Sequence, residues 1–126
     1  MKLRTVFIID AIVSVLFGVP MLVAPTAMVG FSGLETDAVG QHFLRSYGAG
    51  LFSLGVMMWL ARNSGPSSAR TALLVGLVLW LIIDAVKEAW AALTGLVGAD
   101  AWVTVAVLAI LAVLNIVVGW RARSEA

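Results

Sequence analysis

The chain has 126 residues, 62% of them hydrophobic and only 12% charged, with a formal net charge of +1 and a mean hydropathy of +1.07. A water-soluble domain is roughly half apolar and a quarter charged, so this composition excludes a soluble globule and extended disorder alike. With no cysteine and a single histidine, disulfides, thiolate metal sites, iron–sulfur clusters, a cysteine nucleophile and bis-histidine haem ligation within one chain are excluded as well.

Charge-free stretches give the helices in chain order, since a hydrocarbon core of about 30 Å needs roughly 20 apolar residues. Residues 11–34, between Asp10 and Glu35, carry no charge and predict a first span near residues 5–24, behind Lys2 and Arg4. A secretory signal peptide is the rival reading of residues 1–27. It is disfavoured because the apolar run is long, Asp10 interrupts it, and Pro25 occupies a cleavage position that wants a small residue. Pro25 suits the first turn of a short helix, and Met28, Val29 and Phe31 can dip into the interface, so an interfacial segment is expected at about 25–33. Gly30, Ser32 and Gly33 read as a turn. Thr36 or Asp37 then serves as N-cap of a second span near 38–62.

The stretch 63–69, with Gly65, Pro66 and its serines, is a plain reversal that makes the second and third spans an antiparallel hairpin. Between Arg70 and Asp84 only residues 71–83 are uncharged, and they reach only about 20 Å by helical rise. The third span, near 68–93, must therefore carry Asp84 into the membrane. A fourth span lies near 101–121. Six of the eight basic residues, Lys2, Arg4, Arg62, Arg70, Arg121 and Arg123, fall on one side, and Glu35, Asp37 and Asp100 on the other. Both termini and the 63–69 loop are then cytoplasmic. Trp59 and Trp120 mark the inner interface and Trp90 and Trp102 the outer one. The expected fold is all-α: a single domain over 1–126, an integral membrane four-helix bundle of up-down-up-down topology. The string Ile8-Ile9-Asp10-Ala11 recurs as Ile82-Ile83-Asp84-Ala85, but the two aspartates lie at different distances from the cytoplasmic helix ends, and the match is read as chance.

Two polar groups are expected inside this bundle. Arg45 and Lys87 both lie about 25 Å from the inner interface, with Asp84 and Glu88 bracketing that level on the face of Lys87. Arg45, across the hairpin, is expected to face them, with Tyr47 and His42 within one turn and Trp80 beneath. Intramembrane charges pair or line an aqueous cavity, so this outer group is either a structural ion pair or a site for a polar ligand or proton. Asp10 and Asn115 both lie about 9 Å from the inner face, with Ser14 one turn beyond Asp10, and a hydrogen bond between the first and last spans would satisfy both. No metal site is expected of one histidine without cysteine. Ser46, Gly48, Ala49, Gly50, Ser53 and Gly55 spread over two faces of the second span and invite close packing, one face against the third span and the other against a second subunit.

The run Ala24-Pro25, Gly30-Phe31, Phe43-Leu44-Arg45-Ser46-Tyr47-Gly48-Ala49-Gly50-Leu51 and Trp59-Leu60-Ala61-Arg62 resembles small bacterial four-span membrane proteins, the DoxX-like and related families of unknown function. The resemblance implies the bacterial inner membrane, marks Arg45 as a candidate polar site residue, and introduces association with a membrane oxidoreductase system. The sequence shows no nucleophile motif, metal motif or nucleotide motif. The expected function is a non-enzymatic accessory or scaffold subunit without cofactors, in contact with the lipid bilayer and not with nucleic acid, working as a homo-oligomer or within a larger membrane complex. The alternatives are a small proton- or solute-coupled transporter using Asp84, Glu88 and Arg45, and a quinone-linked oxidoreductase component.

Overall fold

A computed structural model describes residues 1–124, with the side chain of Ser124 excepted. Among these residues five α-helices and no strand are found: α1 (Leu3–Val23), α2 (Pro25–Gly30), α3 (Ala38–Ala61), α4 (Ser68–Leu93) and α5 (Ala101–Ser124). α1, α4 and α5 are each long and apolar enough to cross a membrane. At 24 residues α3 matches them in length, about 36 Å by helical rise, but Gln41, His42 and Arg45 make it more polar. The described residues are thus all-helical, and three of the helices have the length and apolarity that suit a membrane.

It divides into two compact units. The first comprises Phe7–Arg62. Within it α1 and α3 run antiparallel and meet backbone to backbone, because glycines occupy the crossing. A Cβ added to Gly48 would lie 2.7 Å from Gly18 O and 2.7 Å from Leu22 N, and one added to Gly18 would lie 2.7 Å from Phe52 N. About two turns further along α3, Gly55 lies close to Val15, Ala11 and Ser14 of α1. The Gly48 and Gly55 face of α3, with Leu51 and Met58, is buried. Packing of small residues allows this proximity where side chains would hold the axes apart. The glycine-bearing face that sequence left between two destinations thus goes to α1.

Local signals set the ends of these helices. Asp37 caps α3, its Oδ1 accepting from Gly40 N at 2.7 Å. Pro25 opens α2, as a residue lacking an N–H does at a first turn, and α2 packs on α3. α2 ends at Gly30, sooner than the expected segment to 33. Gly33 takes the left-handed φ of 68°, and Leu34 N bonds back to Val29 O at 3.3 Å, which reverses the chain.

The second unit comprises Met1–Val6 and the residues from Asn63 on. Ser67 caps α4 by accepting from Arg70 N at 3.1 Å. Gly95, with φ 74°, ends α4 in a Schellman arrangement, with Leu96 N bonded to Ala91 O at 3.0 Å and Gly95 N to Ala92 O at 3.3 Å. α4 and α5 form an antiparallel hairpin: Leu74 fills the space a Cβ on Gly119 would take, and Arg70 Nη2 donates to Ala122 O at 3.3 Å. On α5 the buried positions Leu108, Asn115 and Ala122, spaced by seven, alternate with Leu111, Ala112 and Val118, the repeat of shallow-angle helix packing.

Candidate functional site

The outer polar group is built on α4 itself. Leu77, Leu81 and Ala91 mark its buried face, and Asp84 and Glu88 fall on the same face at helical spacing. Lys87 lies at the edge of that stripe. Its Nζ stands 3.0 Å from Asp84 Oδ1 and 3.6 Å from Glu88 Oε1, with the Asp84 and Glu88 side chains only 11% and 23% exposed and that of Lys87 57% exposed. This is what a long, flexible cation does at an apolar boundary: its stem covers neighbouring surface while the ammonium reaches two acids. One cation between two carboxylates leaves the group formally one negative charge in excess. An excess negative charge of this kind attracts small cations.

Arg45 lies in the other unit, on α3, and is exposed. Its depth follows from helical rise, but its exposure follows from azimuth: Arg45 lies about 100° round the helix from the centre of the face packed on α1. His42, one turn earlier, is also exposed and sets its ring edge-on to Phe43, centroids 5.9 Å apart. Tyr47 on α3 and Trp80 on α4 are half-buried. Ser46 and Ser53 donate to the carbonyls of His42 and Ala49 at 3.2 and 2.9 Å, within their own helix.

Of the inner group, Asp10 and Ser14 are buried on α1, at 2% and 7% exposure, and Asn115 on α5 is fully buried. Asn115 Nδ2 donates to Leu111 O at 2.9 Å, a back-bond that satisfies part of the amide inside its own helix. Among the described residues no three histidine, aspartate or glutamate side chains gather in a way that could hold a metal ion.

Arg70 has a role that sequence did not assign to it. Its guanidinium donates to Ser64 O at 3.1 Å and to Ala122 O at 3.3 Å, so it ties the loop before α4 to the last turn of α5. The carbonyls at a helix C-terminus lack intrahelical donors, and a cation there also complements the helix dipole. The partners are 52 residues apart, which no local spacing reveals. Two aromatic contacts stand at helix ends: Arg62 lies 4.0 Å over the Trp59 ring and Arg123 5.4 Å over the Trp120 ring.

A family model described as a domain of unknown function, DUF8292, matches residues 2–122. The chain belongs to the DUF8292 family. No curated protein and no solved structure gives a significant match. Both polar groups and the glycine crossing fall inside the stretch the DUF8292 match covers.

Proposed function

We propose that this DUF8292 protein is a four-span, up-down-up-down bundle of the bacterial inner membrane, with both termini cytoplasmic, that works as a non-enzymatic accessory or scaffold subunit of a larger membrane assembly. The observation that carries the reading is the Asp84–Lys87–Glu88 group: one ammonium lies between two largely buried carboxylates of the same helix, an arrangement that reduces the cost of holding a polar segment in an apolar medium. The spacing of the tryptophans supports the membrane placement. Trp102 and Trp120, both exposed, are 18 residues apart on α5, about 27 Å along the axis, close to the thickness of a hydrocarbon core. Capture of the full chain from native membranes in polymer-bounded discs, followed by mass spectrometry, tests the proposal and should return a stoichiometric membrane partner. Proton or solute flux by the purified chain in proteoliposomes, abolished by Asp84→Asn, would replace it with the transporter reading, which the excess negative charge of the cluster favours.

A further inference from the structure

The second unit is electrically polarised along its hairpin. At one end, defined by the Arg70 bonds that join the start of α4 to the end of α5, stand Arg70, Arg121 and Arg123, and among the described residues from Asn63 to Arg70 and from Trp120 to Arg123 there is no acidic side chain; Glu125 lies outside the described residues. At the other end stand Asp84, Glu88 and Asp100 against Lys87 alone. Arg121 and Arg123 are exposed, as are Lys2 and Arg4 in the first residues of the same unit. Trp120 beside them is 72% exposed and carries the Arg123 guanidinium over its ring at 5.4 Å.

The arrangement combines an indole at headgroup depth, where such rings reside, with planar guanidinium donors suited to phosphate oxygens. The Arg70 clamp holds the loop of residues 63–67 against the last turn of α5, which fixes the surface from which Arg121 and Arg123 project. An arginine over an indole face is held by the ring quadrupole, so less freedom is lost when a phosphate binds its outer edge. We infer that this end of the α4–α5 hairpin is a docking surface for the phosphate headgroups of anionic phospholipids, with Arg121 and Arg123 as the principal contacts and Trp120 as the interfacial anchor. The inference rests on the membrane reading above and extends it by naming the lipid class that the protein selects. Each basic side chain near an anionic surface is worth about a fivefold gain in binding, and salt screens it.

The test uses the full chain in detergent, titrated with phosphatidylglycerol or phosphatidylcholine and read by thermal unfolding and by native mass spectrometry of retained lipid. Phosphatidylglycerol should be retained in preference to phosphatidylcholine, raise the melting temperature, and lose its advantage at high salt. The double variant Arg121→Gln, Arg123→Gln should cut that preference by about thirtyfold, whereas Arg45→Gln should leave it intact. Inorganic phosphate at matched ionic strength should give no shift; a shift equal to that of the lipid would make this a free-phosphate surface and overturn the lipid assignment. Equal retention of both lipids, or equal loss on Arg45→Gln, would also overturn it. Carbonate extraction of membranes separates the two failures: release of the chain refutes membrane insertion itself, while retention without lipid preference refutes only this inference.

Discussion

The α1–α3 crossing gives the most direct physical test of the fold. Placing a methyl group on Gly48 puts its carbon 2.7 Å from Gly18 O, 2.7 Å from Leu22 N and 2.8 Å from Met21 Cβ, where ordinary contact is about 3.5 Å. Two of the three obstructing atoms are backbone, so no rotamer change relieves them, and the helices must separate by about 0.7 Å. A gap of that size forfeits a quarter to a half of each neighbouring dispersion contact. Overpacking of this kind costs about 1–3 kcal/mol, against which the better helix propensity of alanine returns about 1 kcal/mol. Gly48→Ala should therefore destabilise by up to about 2 kcal/mol. Gly76→Ala is the matched control, since nothing lies within 4 Å of the added carbon; there only the propensity term acts, and the variant should gain up to about 1 kcal/mol. Equilibrium unfolding in mixed micelles, followed by tryptophan fluorescence, resolves the opposite signs. Equal midpoints for Gly48→Ala and Gly76→Ala would show that α1 and α3 do not meet at this point.

Three further outcomes are expected. In a double-mutant cycle of Lys87→Met and Asp84→Asn, the coupling should be about 0.5–1 kcal/mol, and zero coupling by thermal unfolding would place the ammonium in solvent. Asp37→Ala removes the acceptor of Gly40 N and should cost about 1 kcal/mol, with Asp37→Ser retaining most of it; equal losses in the two variants would deny the cap. Reporter fusions at Ser67 should read cytoplasmic and at Glu35 external, and an external signal at Ser67 would refute the proposed orientation.

Composition and charge spacing alone determined that the chain is helical, apolar enough for a membrane, and divided near residues 24, 38, 62, 68, 93 and 101, because helix ends are governed by local chemistry: Pro25, the cap of Asp37, the reversal through Gly65 and Pro66. Even Asp84, Lys87 and Glu88 could be joined from sequence, since residues three and four apart on a helix are neighbours. Azimuth between helices is not local. Depth arithmetic placed Arg45 by its distance along α3, but its exposure depends on which face of α3 packs on α1, and that was decided by the fit of Gly48 and Gly55 against the α1 backbone. The Arg70 clamp on Ala122, across 52 residues, likewise exists only once α4 and α5 are folded side by side. In a chain so rich in small and apolar residues several helix faces are nearly equivalent as sequence, and close backbone approach, which depends on three-dimensional fit and not on composition, chooses among them.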